Sequence, residues 1–351
     1  MSRRVTGRRV AVVLALVVAA AWVAIFLASS RRAPVAPPTV PNPNGYDDVL
    51  KAAREVEAAG FDPKTADVRD VETLRAAVAP VRDALARARV GLGRPFQVPV
   101  QYDLNDVYGR LLPEVNLVRR RLASALVAEG TLAELDARPG DAVTAYLDVI
   151  RLGVALSRGV NMISHGIGLA VQAQGLAKLR DYRGSLDAVP CRTAIASLET
   201  LGGSIESAEE ASRHEFLFMD ANVRNMPVTA RAMFSLTGQV RKEKARAAAQ
   251  YAKGVRGSEL RFRLLLADLA VRLEVLEHGK PPATLDALVP GILKSVPIDP
   301  YGTGKPLVYR VTPGGYQLYS LGPDGDDDRL DPPLGKRHTP TSNGDFTIDS
   351  F

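Results

Sequence analysis

The chain has 351 residues, 46% hydrophobic and 24% charged, with 45 Lys and Arg against 39 Asp and Glu for a formal charge of +6. That balance excludes wholesale disorder and leaves room for two domains with their own cores. The single cysteine, Cys191, excludes an intrachain disulfide, and the positive charge is scattered Arg without a dense basic tract, so no nucleic-acid partner is expected.

Residues 1–9 hold Arg3, Arg4, Arg8 and Arg9 and read as a cytoplasmic stub. Val10 to Ala28 is an uninterrupted apolar run. At about 1.5 Å per residue it extends roughly 28 Å, close to the hydrocarbon thickness of a bilayer. It exceeds a usual signal-peptide core and has no small-x-small cleavage site after it, so a single transmembrane helix is expected over 10–29. The arginines before it, against Arg31 and Arg32 after it, place the N-terminus in the cytoplasm and the bulk outside, on the periplasmic side. Residues 30–45 are Pro-rich and form an extended linker.

Residues 46–253 read as a helical domain, either a bundle or an irregular α-solenoid. Helices are expected over 47–59, 71–90 (crossed by Pro80), 114–129, 141–157, 163–179, 190–201 and 204–219, with 94–100 as a loop or short extended piece. Pro139–Gly140 separates the 114–129 and 141–157 pair, as in an antiparallel hairpin. No fixed period near about 34 residues is found. The charged, Ala-rich stretch 241–251 reads as an exposed helix or tether.

Residues 257–351 form a C-terminal α+β module. Phe262, Leu265, Leu266, Leu269, Leu273 and Leu276 make one apolar helix face, stopped by Gly279 and Pro281–Pro282. Thr284 caps a short turn over 285–289. Strands are expected over 307–311 and 316–321, joined through Thr312-Pro313-Gly314-Gly315 as a hairpin. Asp324, Asp326, Asp327, Asp328 and Asp331 then crowd into eight residues. Such a crowd is either a solvated acidic turn or the site of a hard cation with many oxygen ligands, which describes Ca²⁺ better than Mg²⁺ or Zn²⁺.

The order Pro297, Asp299, Pro300, Gly302, Pro306, Leu307 and Tyr309, then Tyr316, Leu318, Ser320, Leu321, Gly322, Asp324 and Gly325, then Asp345 and Ile348, resembles the globular module of the major pseudopilin of type II secretion systems. The resemblance covers roughly the last quarter of the chain. It implies a Ca²⁺ site built on Asp324 and Asp345, with Leu321 as a main-chain donor. Asp326 and Asp328 join by chemistry. Gly7 is followed by Arg8 and Arg9, and no Glu occurs in residues 10–28, so the implied reading is a pseudopilin-like module reused on a different anchored protein.

Four histidines occur, His165, His214, His278 and His338, none at metal-ligand spacing with another. His214-Glu215 reads as a surface helical pair. His165, among Gly166 and Gly168, reads as a satisfied histidine between close-packed helices. Cys191 reads as a small buried apolar side chain.

The expected protein is therefore mainly α with a C-terminal pseudopilin-like helix and small antiparallel sheet, behind a single membrane helix. The expected function is a non-enzymatic, membrane-anchored extracytoplasmic scaffold with a Ca²⁺-stabilised tail and protein partners, associated with a secretion or pilus-like machine. Two alternatives stand beside it. One is an envelope enzyme with its active site in the helical domain, which a polar pocket around His165 or His214 would support. The other is a metal-free structural protein.

Overall fold

A computed structural model describes residues 37–225, 239–330 and 344–350. The body opens at Asn44, whose side-chain oxygen accepts the N–H groups of Tyr46 at 3.2 Å and Gln97 at 3.1 Å. That starts α1 (Gly45–Ala58) and ties it to the extended segment 95–100. Asp70 caps α2 (Val71–Val78) through the Thr73 N–H at 2.8 Å. At Pro80, which lacks an N–H, the helix tightens to a 3₁₀ turn, Ala79–Val81, and resumes as α3 (Arg82–Leu92).

The helix expected from 114 begins earlier, at Leu104, where Asp103 accepts the Asn105 N–H at 3.0 Å. It runs continuously over 104–135 as α4, with π-helical stretches at Val107–Leu111 and Val118–Ala123. Pro113 follows the first widened stretch, so the proline does not end the helix.

Next come α5 (Pro139–Ser157) and α6 (Met162–Tyr182). These two run antiparallel with their backbones in close approach. A Cβ on Gly153 would lie 2.2 Å from the Gln172 nitrogen, and one on Gly168 would lie 2.7 Å from the Ser157 nitrogen. Gly166, by contrast, faces open space.

The body closes with α7 (Ala188–Gly202), α8 (Ala208–Asn225) and the 40-residue α9 (Gln239–His278). The charged stretch 241–251 and the apolar tail helix are thus one helix.

Two cores share α5 as a wall. One gathers α1 to α4 with Val149, Leu152 and Leu156 of α5. The other gathers Val143, Tyr146 and Ile150 of α5 with α7, α9 and the tail, from Leu285 and Leu307 to Leu318 and Phe346. Between them a charged cluster joins α3, α4 and α5. Arg89 donates to Asp148 at 2.7 Å and also bonds Glu129, while Arg151 donates to Asp148 at 2.9 Å.

The tail follows the expected order. A 3₁₀ turn, Leu285–Leu288, leads to a three-stranded antiparallel sheet, β1 (Val308–Thr312), β2 (Gly315–Ser320) and β3 (Phe346–Thr347), in that spatial order. Thr312 pairs with Gly315, so Pro313–Gly314 is a two-residue hairpin loop. Thr284 precedes the turn without a side-chain capping bond.

The membrane architecture is corrected. Among the described residues no helix is long and apolar enough to cross a membrane. The 40-residue α9 has the length but carries charges throughout, from Arg241 to Glu277. The apolar run at 10–29 on which the single-pass reading rested lies outside the described residues, as does the linker up to residue 36. The structure carries a helical body with a small sheet, and neither the anchor nor the periplasmic placement goes forward.

Candidate functional site

In the tail, Asp299 organises the turn. It is buried and accepts from the Ser320 hydroxyl at 2.8 Å, the Leu321 N–H at 3.0 Å and the Tyr301 N–H at 2.9 Å. Leu321 therefore contributes a donor N–H here. Gly322 turns at φ +71°, where a Cβ would lie 2.2 Å from the Gly344 oxygen, so this position requires glycine.

Asp324 and Asp345 each accept a backbone N–H from the opposite arm of the loop. Asp324 Oδ2 accepts the Gly344 N–H at 2.9 Å, and Asp345 Oδ2 accepts the Leu330 N–H at 2.9 Å. Burial, with Asp327 and Asp328 nearby, raises the Asp345 carboxyl above its ordinary range. Its Oδ1 is buried and has no partner among the described residues. Asp326 and Asp328 are exposed, and Asp331 lies outside the described residues.

A hard cation of the Ca²⁺ type needs six to eight converging oxygens. Among the described residues no three His, Cys, Asp or Glu side chains are placed to hold a metal ion. Asp299, Asp324 and Asp345 are engaged there as acceptors for N–H and O–H groups. The described residues therefore assemble no Ca²⁺ ligand set, and nothing in them supports the calcium-binding expectation.

A different polar centre lies in the helical body, at the N-terminal end of α6. Asn161 caps that helix through the Ser164 N–H at 2.9 Å. Two carboxylates from the next layer dock on the same end. Glu215 of α8 accepts the Met162 N–H at 2.8 Å, and Glu206 accepts the Gly159 N–H at 3.2 Å. A helix N-terminus presents unpaired N–H groups and positive potential, which favours this placement. Glu206 is fixed there because α8 begins in a capping box. Ser207 Oγ accepts the Glu210 N–H at 3.2 Å, and Glu210 accepts the Ser207 N–H at 3.1 Å.

Two imidazoles converge on Glu206. His214 Nε2 lies 3.0 Å from Oε1, and His165 Nδ1 lies 3.6 Å from Oε2. Burial raises the Glu206 carboxyl, but the two histidines and the Gly159 N–H outweigh it and hold its pKa at about 2. His165 is 1% exposed and stands edge-on to Tyr251 of α9 at 5.2 Å between ring centres. Both nitrogens of His165, His214 Nδ1, Ser164 Oγ, Asn161 Nδ2 and the Tyr251 hydroxyl are buried without a hydrogen-bond partner among the described residues. Burial and the charges of Glu206 and Glu215 push the Tyr251 hydroxyl far up.

Glu206 also forms part of the wall of a cleft of about 410 Å³. The other walls are the end of α7 (Leu198, Glu199), α9 (Glu259, Phe262, Arg263) and the tail connector 294–298. Arg263 bridges the last two walls, bonding Glu259 and the Ile298 carbonyl. Glu199 accepts the Lys294 N–H at 2.6 Å, and Lys294 sits exposed at the rim.

Sequence spacing linked neither histidine to Glu206 and tied them to function only through the alternative of a polar pocket around His165 or His214. His214 read as a surface pair, and His165 as satisfied. The missed signal is the capping box at Ser207, which fixes a carboxylate one residue before α8. His278 pairs with Glu274 at 3.1 Å, and His338 lies outside the described residues. Cys191 is buried against the Leu269 carbonyl, and burial raises its thiol to about 11.

Comparison with family models, curated proteins and solved structures finds no match. Nothing in these comparisons supports the secretion-system association.

Proposed function

We propose that the chain is a non-enzymatic docking protein whose cleft receives a basic side chain of a partner protein, with Glu206 as the anchoring carboxylate. One observation carries this reading: a carboxylate on a cleft wall, held ionised by two imidazoles and a backbone N–H and bonded by His214 and Gly159. A carboxylate offers about four lone-pair directions, so one remains for a donor from the cleft. Arg263 is engaged by Glu259 and the Ile298 carbonyl, which leaves Glu206 and Glu199 as the acceptors facing a guest. Phe262, Leu266 and Leu198 supply apolar surface for the stem of a lysine or arginine. The test is calorimetric titration with N-acetyl-lysine amide against N-acetyl-norleucine amide. Binding of the first alone, lost in Glu206→Gln, supports the reading; equal binding of both, or of neither, refutes it.

A second reading rests on the unpaired imidazole nitrogens. His214 Nε2 lies 3.0 Å from Glu206 Oε1, and its Nδ1 is buried without a hydrogen-bond partner among the described residues. A carboxylate-oriented imidazole with one bare nitrogen is the arrangement of a general base. That reading expects hydrolysis of an activated ester such as p-nitrophenyl acetate above the buffer rate. The activity should be lost in His214→Gln.

A further inference from the structure

We infer that the acidic turn of the tail is closed by the protein's own cation, Arg310, and not by a bound metal ion. The key residue is Asp327. Its Oδ2 accepts from Arg310 Nη2 at 2.6 Å, and its Oδ1 accepts from the Tyr319 hydroxyl at 2.9 Å and the Arg329 N–H at 3.1 Å. Burial raises the Asp327 carboxyl, but Tyr319, the Arg329 N–H and Arg310 outweigh it and hold it below the usual carboxylate range.

The hairpin register builds this arrangement. Arg310 of β1 pairs with Gln317 of β2, and Tyr319 lies two residues further along β2. Side chains two apart share a sheet face, and a long side chain reaches its diagonal neighbour. The Arg310 guanidinium accordingly lies 5.6 Å from the centre of the Tyr319 ring, where ring and cation attract. Tyr319 in turn pairs with Thr347 of β3. One guanidinium thus ties β1 to the acidic turn, and its ring partner ties that turn to the central strand.

The remaining described contacts of the turn point the same way. Asp324 closes on the Gly344 N–H and Asp345 on the Leu330 N–H. These donors are N–H, O–H and guanidinium groups. A metal ion in this turn would compete with these donors for the carboxylate oxygens. Asp345 Oδ1 is buried without a partner among the described residues.

Thermal unfolding of the full chain in EDTA and in millimolar CaCl₂ tests this, with wild type, Arg310→Ala, Asp327→Asn and the double variant. The expected result is no Ca²⁺ effect on wild type. Each single variant should lower Tm by about 2 °C, and the double variant no further than either single. A Ca²⁺-dependent rise in wild-type Tm overturns the inference. So does an Arg310→Ala variant as stable as wild type, or additive losses in the double variant. Should Arg310→Ala fail to fold, Arg310→Lys keeps the charge without the planar fork and takes its place in the same cycle. Coupling to Asp327 supports the inference there, and its absence overturns it.

Discussion

The Ser258 hydroxyl of α9 donates to Gln172 Oε1 of α6 at 2.9 Å, seven residues along both helices from the contact between Tyr251 and His165. The equal spacing means that the two helices run parallel here, with two polar pairs one heptad apart on the shared face. Both residues of the second pair are buried. Removing one partner strands the other, whereas removing both exchanges a polar pair for apolar contact. Ser258→Ala and Gln172→Leu should therefore each cost about 1–2 kcal/mol in urea denaturation. The double variant should recover most of that loss. Additive losses would show that the two side chains do not act as a pair.

Glu206 makes stability depend on pH with a defined sign. Its folded pKa of about 2 lies below the ordinary glutamate value of 4.5, so the unfolded chain binds the proton more readily. Stability from this group is fully present above about pH 4.5 and is lost as pH falls toward 2. Its size is on the order of 3 kcal/mol. Unfolding free energies of wild type and Glu206→Gln should converge across that window and differ most at neutral pH. A constant difference from pH 2 to 7 would place the effect elsewhere.

Two glycines of the α5–α6 hairpin should respond to alanine in opposite directions. Gly153 has the Gln172 nitrogen within 2.2 Å of where a Cβ would go, and neither backbone can move without opening the hairpin. Gly153→Ala should cost about 3 kcal/mol or more. Gly166 is exposed with nothing near, so Gly166→Ala should stabilise by about 1 kcal/mol through helix propensity alone. Denaturation midpoints of the two variants should fall on either side of wild type.

These positions show what the sequence makes legible. Helices appear where apolar periodicity and caps agree, as at α5, α6 and α7, within a few residues. The break at Pro80 is local chemistry and also readable. The early start of α4 is not, because Pro113 signals a boundary that the π-helical stretch beside it absorbs. In the tail, the hairpin and its turn follow from Pro313–Gly314 and the flanking strand residues. The acidic cluster is visible as composition, but its partners are not. Arg310 and Tyr319 reach Asp327 only through hairpin register. The Glu206 centre is least visible, since Gly159, His165, Glu206, His214 and Tyr251 come from three helices and two connections between helices. Spacing along one element cannot report a meeting of that kind.

Asp299 gives the tail its sharpest test. Three donors end on one buried carboxylate: the Ser320 hydroxyl and the N–H groups of Tyr301 and Leu321. Charge-assisted bonds of this type are the stronger ones, and each donor left unmade in the interior carries its own desolvation penalty. Asp299→Ala should therefore cost on the order of 3 kcal/mol. Asp299→Asn keeps one carbonyl oxygen but presents an amide to donors that need an acceptor, so it should lose a large part of the same stability. Hydrogen exchange separates this from a general loosening. The Leu321 amide should lose protection in both variants before the α5 amides do. A Leu321 amide as slow in Asp299→Ala as in wild type would mean that the turn is anchored by Gly322 and the β2–β3 pairing, with Asp299 only filling space beneath it.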